Sequence, residues 1–213
     1  MRILIADDHS IVRTGLKRML EGEFPDVVVG EATTSRELLQ AVKAAEWDVL
    51  ILDVALGAES GLSALPRLKE VRPNLPVIML SMYGERQFVM RALAEGASAY
   101  LTKEQAADEE LFRAIRTVRT GRRYLGEALA EQLADHLAGG KAAKPGSPHE
   151  SLSSRELEVF LLLAAAKSVT EIAERLDLSV KTVSTYRTRI LEKMGLESTA
   201  EIIQYAVRNG LVG

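Results

Sequence analysis

Val49-Leu50-Ile51-Leu52-Asp53-Val54-Ala55-Leu56-Gly57-Ala58-Glu59-Ser60-Gly61 is the stretch that decides the fold. Four apolar residues run without a break into an aspartate, and a glycine-bearing loop follows. Such a run suits a strand buried on both faces, as in a parallel sheet. Asp53 then stands at the C-terminal end of a central strand, where open α/β sheets place their chemistry. Aspartate is also a common turn former, so a plain loop cap is the competing reading here.

Outward from this stretch, the first half alternates. Residues 2–6 read as a strand ending in Asp7-Asp8, and from Ile11 the pattern is helical, with Ile11, Val12, Gly15, Leu16, Met19 and Leu20 on one face. Residues 27–32 read as a second strand. Thr34 to Glu37 has capping-box spacing ahead of Leu38, Leu39 and Val42. Leu62, Leu65, Leu68 and Val71 mark a helix that stops near Pro73. Residues 77–80 form a further buried strand ending at Ser81, and a helix from Glu85 to Glu95 leads to a last strand, 99–101, ending at Thr102-Lys103. A final helix covers residues 108–120. Alternation of this kind predicts a doubly wound, five-stranded parallel sheet with helices on both faces. Right-handed crossovers bring the strand C-termini to one edge.

The residues at that edge are Asp7, Asp8, Asp53, Ser81 and Lys103. Crowded carboxylates repel one another and push at least one pKa upward. A divalent cation removes that penalty, and a hard, oxygen-only donor set suits Mg²⁺. With the metal in place Asp53 can act as a nucleophile on a phosphoryl group. Lys103 would pair with the phosphoryl oxygens, and the Ser81 hydroxyl would donate to them. Each residue has a plainer reading: an acidic pair at a helix N-terminus, a loop hydroxyl, a solvated lysine.

Composition bounds the rest. The chain of 213 residues has no cysteine, which excludes disulfides, thiolate chemistry and cysteine-based zinc sites. Three scattered histidines, His9, His136 and His149, make a structural zinc site an unpromising expectation. No apolar run approaches a bilayer span, and the N-terminus reaches carboxylates too early for a signal peptide, so a cytoplasmic location with no membrane partner is expected. Residues 1–136 carry 17 Lys and Arg against 21 Asp and Glu, whereas residues 137–213 carry 10 against 9. That asymmetry fits two domains with different tasks.

Leu129, Leu133 and Leu137 continue a helical pattern into a tether, residues 138–148, with two glycines at its start and two prolines near its end. From Ser151 the chain reads as four helices. Ser153 to Glu156 has capping-box spacing, Asp177-Leu178-Ser179 is a tight turn, and Ser198 opens the last helix with Glu201. Two helices joined by a three-residue turn suit a helix-turn-helix module. Its third helix, about 180–194, turns Val183, Ile190 and Met194 to the core and leaves cations and small hydroxyl residues outside. Cations suit phosphates, and short polar side chains suit base edges. A solvated basic helix is the plainer reading.

With these residues in view, residues 2–122 resemble the receiver domain of bacterial two-component response regulators. The resemblance implies a sheet of order 2-1-3-4-5. It implies Asp53 as phosphoacceptor, with Mg²⁺ held by Asp7, Asp8, Asp53 and the backbone carbonyl of Ala55. Ser81 matches the switch hydroxyl, Lys103 the family's lysine and Tyr100 the switch aromatic. Three positions depart: Gly57 stands where the family usually has proline, Glu104 where many members have proline, and Met82 where a small residue is common. Residues 150–212 resemble the LuxR/FixJ-type (NarL-like) DNA-binding domain through Leu152–Val159, Glu171–Ile190 and Lys193–Gly195, with Tyr186 where many members have histidine. This likeness implies Ser184, Thr185 and Thr188 nearest the bases, with Lys181, Thr182, Arg187, Arg189 and Lys193 on phosphates of double-stranded DNA. Ile203 and Val207 would lie on a homodimer surface or in their own core.

The domains are read as a receiver at 1–122, a linker at 123–150 and a DNA-binding domain at 151–213. The expected function is a NarL/FixJ-type response regulator, phosphorylated on Asp53 by a sensor histidine kinase and binding promoter half-sites. It is a phosphoacceptor rather than an enzyme. Two alternatives stand: a phosphorylation-independent DNA-binding scaffold with a degenerate receiver, and an aspartate-nucleophile phosphatase. The second is disfavoured because Ala55 occupies the position where such enzymes usually carry a second aspartate.

Overall fold

All five residues of the Val49–Asp53 run are buried in the computed structural model. It describes residues 1–57, 59–82, 86–107, 109–126, 130–131, 134, 147–176 and 178–211. The helix starts read at Glu85 and Asp108, the Leu129–Leu133–Leu137 pattern, the tether through Gly146 and Asp177 of the turn lie outside these residues. The chain divides into two compact units, Met1–Asp135 and His136–Gly213.

The first unit runs β1 (Arg2–Ala6), α1 (Ser10–Glu23), β2 (Val28–Ala32), α2 (Ser35–Ala44), β3 (Val49–Asp53), β4 (Ala55–Leu56), β5 (Glu59–Ser60), α3 (Gly61–Val71), β6 (Val77–Ser81), α4 (Arg86–Ala94), β7 (Ala99–Thr102), a short 3₁₀ turn (Gln105–Ala107), α5 (Glu109–Val118) and β8 (Tyr124–Leu125). The main sheet is wholly parallel, in the order β2-β1-β3-β6-β7-β8. Its first five strands follow the expected order, and β8 adds a sixth at the edge beside β7. β3 sits between β1 and β6, which is why its sequence is apolar on both faces. The core on one side packs Leu16 and Leu20 of α1 and Leu111, Ala114, Ile115 and Val118 of α5 against Ile3, Ile5, Ile51, Ile78 and Leu101.

Three local readings are corrected. Ile11 and Gly15 do not share the buried face of α1; Ile11 is 86% exposed, because five and nine residues separate it from Leu16 and Leu20 and put it on the far side of the helix. The loop after Asp53 contains a small antiparallel ladder, with Ala55 opposite Ser60. The Glu37 carboxylate accepts from the Thr33 N–H (2.7 Å) rather than completing a box with Thr34, whose hydroxyl accepts from the Glu37 N–H.

The second unit contains a 3₁₀ turn (Pro148–Ser151), α6 (Ser154–Ala164), α7 (Val169–Arg175), α8 (Val180–Met194) and α9 (Thr199–Arg208). Complete capping boxes open α6 (Ser153 with Glu156) and α7 (Ser168 with Glu171). The Ser168 N–H and hydroxyl, with Lys167 nearby, hold the Glu171 carboxyl down to about 2. α6 is buried along its whole length, charged residues included. Arg155 donates to Glu158 at 2.5 Å and to the Leu176 carbonyl at 3.1 Å, a pairing that burial requires.

Candidate functional site

The strand ends gather five side chains at the C-terminal edge of the sheet. Asp7 and Asp8 follow β1, Asp53 ends β3, Ser81 ends β6 and Lys103 follows β7. Asp7, Asp53 and Ser81 are buried. Lys103 Nζ donates to Asp7 Oδ2 at 2.8 Å and to Asp53 Oδ2 at 2.7 Å. Backbone hydrogen bonds fix the frame: Asp7 N–H to the Ala32 carbonyl (3.2 Å), Val54 N–H to Leu80 (2.8 Å) and Lys103 N–H to Ser81 (2.7 Å). The loop after Asp53 closes on itself through the Gly61 N–H, which donates to the Val54 carbonyl at 2.8 Å. Gly61 is required there, since a Cβ would overlap the Asp53 backbone oxygen.

The electrostatics follow from one ammonium facing two buried carboxylates. Burial and the Asp7 charge push the Asp53 carboxyl up to about 7, against the pull of Lys103 and the Ala55 N–H. Burial alone would lower the Lys103 ammonium, but the Asp53 and Asp7 carboxylates outweigh it and hold Lys103 above the usual lysine value.

Asp7, Asp8, His9 and Asp53 each offer a ligand atom, and these atoms lie within 4.8 Å of one another. Asp8 Oδ1 is buried and accepts no hydrogen bond; His9 Nδ1 faces it at 2.8 Å without the alignment a hydrogen bond needs. An orphaned oxygen, clustered carboxylates and a raised Asp53 fit a divalent cation on oxygen donors. Sequence reasoning passed over two supports of this pocket. His9 donates its backbone N–H to Asp7 Oδ1 at 2.7 Å, and Arg13 donates to the Asp7 carbonyl at 2.8 Å while pairing with Glu31. The short step from Asp7, just after β1, to Arg13 in the first turn of α1 was the available signal. Tyr100 lies on β7 and is fully buried.

In the second unit, Ser179 caps α8 by accepting from the Thr182 N–H at 3.0 Å, and Gly195 ends it in the left-handed region at φ 64°. Val183, Ile190 and Met194 are buried, as their spacing predicts. Lys181, Ser184, Thr185, Thr188, Arg189 and Lys193 are exposed, and Thr182 and Arg187 are half-buried. Two of the cations have partners within the unit. Arg187 Nε donates to Thr199 Oγ1 at 2.8 Å, and Lys193 Nζ donates to Glu156 Oε2 at 2.6 Å. On α9 Ile203 is half-buried, whereas Val207 is 61% exposed.

Residues 3–116 match the model of the response regulator receiver domain, and residues 150–206 match that of the bacterial regulatory proteins of the luxR family. The response regulator GacA of Pseudomonas aeruginosa is 38% identical over 212 residues, covering 100% of this chain and 98% of that protein. This chain is a response regulator of the NarL/FixJ family. The response regulator UvrY of Escherichia coli is 35% identical over 211 residues, covering 99% and 95%. Among solved structures, the RcsB response regulator of Salmonella typhimurium is similar at a TM-score of 0.59 and 29% identity, over 98% of this chain and 99% of that one. RcsB of Salmonella enterica serovar Typhimurium bound to promoter DNA with the phosphomimetic BeF₃⁻ gives a TM-score of 0.60 at 28% identity, over 96% and 97%.

The response regulator is a DNA-binding transcriptional regulator of a two-component system. Its departures from the family now have structural content. Gly57 lies at φ 61° and donates its N–H to Asp8 Oδ2 at 2.9 Å, which proline cannot do. No peptide bond is cis among the described residues, Lys103–Glu104 included. Met82 is 63% exposed next to Ser81, the buried last residue of β6. Among the described residues no helix is long and apolar enough to cross a membrane.

Proposed function

We propose that Asp53 is the phosphoacceptor of this response regulator and that its phosphorylation controls DNA binding by α8. The observation that carries this reading is the buried pairing of Asp53 and Asp7 with a single Lys103 ammonium at the end of the central strand. An Asp53 carboxylate oxygen attacks the phosphorus, and the bond from phosphorus to the kinase histidine breaks. Asp7, Asp8, Asp53 and the Ala55 carbonyl would hold Mg²⁺, which supplies positive charge to the transferring phosphoryl oxygens. Lys103, freed from Asp53 Oδ2, then pairs with those oxygens, and the Ser81 hydroxyl donates to them. Tyr100 transmits the change to the receiver surface. The protein acts as a phosphoacceptor that assists its own phosphoryl transfer and dephosphorylation, and it works in the cytoplasm.

The receiver spans 1–122, the linker 123–150 and the DNA-binding domain 151–213. On α8, Ser184, Thr185 and Thr188 lie nearest the bases; Lys181, Thr182, Arg187, Arg189 and Lys193 serve phosphates. For Arg187 and Lys193 this means sharing their donors with Thr199 and Glu156. Ile203 and Val207 form a homodimer surface, which would pair two half-sites. The test is the affinity of the full chain for duplexes selected from a random library, with and without acetyl phosphate and Mg²⁺. Acetyl phosphate should tighten binding by the wild type and leave Asp53→Asn unchanged. Equal affinity in every arm would support the phosphorylation-independent scaffold instead.

A further inference from the structure

One exposed residue of α8 is unlike the others. Val180, the first helical residue, is 49% exposed, and Lys181, Ser184, Thr185 and Thr188 are exposed with it on the following turns. Ser184 and Thr188, four and eight residues on, lie nearest its side of the helix, while Lys181 and Thr185 continue the exposed surface round from it. The hydroxyls of this set are already committed. Ser184 donates to the Val180 carbonyl at 2.9 Å, Thr185 to Lys181 at 2.9 Å and Thr188 to Ser184 at 3.1 Å. Each uses its one hydrogen on the carbonyl one turn back, the helix-internal bond that serine and threonine favour. What these side chains still offer a base is lone pairs and, on the threonines, a methyl group. Val180 adds an isopropyl group.

The major groove contains one apolar feature, the C5-methyl of thymine, and its donors are the amino groups of adenine and cytosine. Helix-turn-helix proteins bring the N-terminal residues of the recognition helix to the base edges. We propose that α8 reads thymine 5-methyl groups in the operator half-site, with Val180 as the apolar contact at the start of the helix and the Thr185 and Thr188 methyls further along the same exposed surface. This rests on the reading of α8 as the DNA-contacting helix. It adds the chemistry that helix recognises and a residue, Val180, not among the base-nearest set.

The test uses the full chain with acetyl phosphate and Mg²⁺. Duplexes are selected from a random library, and the selected half-site is remade with deoxyuridine in place of each thymine in turn. Deoxyuridine keeps the hydrogen-bonding edge and removes only the methyl. Affinity should fall about threefold to fivefold at each contacted thymine, the scale of one buried methyl group. In Val180→Ala, checked for unchanged helix content by circular dichroism, the fall should vanish at one position of the half-site and persist at others. Equal affinity for every deoxyuridine duplex would overturn the proposal while leaving DNA binding intact. Full discrimination in Val180→Ala would overturn the role of Val180. No enrichment of any sequence would overturn the reading of α8 itself.

Discussion

Replacing Asp53 by asparagine removes the proposed phosphoacceptor, and it should also make the resting protein more stable. Burial and the Asp7 charge raise the Asp53 carboxyl from 3.8 to about 7. At acid pH the group is protonated in both states and contributes nothing. As pH rises through the unfolded value the unfolded chain ionises first, so native stability falls until pH passes the folded value, after which the loss is constant. At about 1.4 kcal/mol per tenfold, the gap between the two values puts that loss on the order of 4 kcal/mol. Across a receiver-sized unit this is on the order of 10 °C in Tm. Asp53→Asn abolishes the loss, in which the pull of Lys103 is already counted, but leaves a buried amide in place of the carboxylate and Lys103 with Asp7 alone, so a gain of about 5 °C at pH 8 is expected, shrinking towards pH 4. Scanning calorimetry in EDTA, which separates the transitions of the two units, provides the measurement. Mg²⁺ at pH 8 should raise the wild-type transition more than that of Asp53→Asn, because the cation relieves the same excess of negative charge. A variant that melts at or below the wild type at pH 8 in EDTA would refute the reasoning, as would a difference that does not grow with pH.

Three further outcomes follow from particular contacts. Glu158→Ala leaves the Arg155 guanidinium buried with the Leu176 carbonyl, and should cost the second unit about 3–5 kcal/mol, read as a lower denaturation midpoint. Gly61→Ala forces a side chain onto the Asp53 backbone oxygen; the first unit should lose about 1–3 kcal/mol, and labelling by acetyl phosphate should slow with it. Arg189→Ala should lower the salt dependence of DNA binding by about one counterion; Arg187→Ala should do the same and also lower the Tm of the second unit, since its Nε holds Thr199.

The sheet was legible because its information is local and periodic. The Val49–Leu52 run needs a neighbour on each side, and the alternation of strand and helix then fixes which ends of the strands meet. Asp7, Asp53, Ser81 and Lys103 could be placed together from strand ends alone. β8 was not legible: two residues, Tyr124 and Leu125, carry no period, and their pairing with β7 depends on the sheet already being there. The supports of the acidic pocket were missed for a similar reason. Arg13 and His9 act through backbone and carboxylate atoms of Asp7, and neither breaks a pattern. In α6, nothing in the local spacing marks Arg155 and Glu158 as a buried pair, which depends on the Leu176 carbonyl twenty-one residues away. Arg187 and Lys193 look like free cations in the helix sequence; Thr199 and Glu156, distant in sequence, engage them.

The most direct test of the central claim is the intact mass of the full chain after incubation with acetyl phosphate and Mg²⁺, beside an EDTA control and Asp53→Asn. The account predicts a single phosphoryl adduct that requires both the metal and Asp53. An adduct that persists in Asp53→Asn, or no adduct on a folded wild-type chain with Mg²⁺ present, would contradict it.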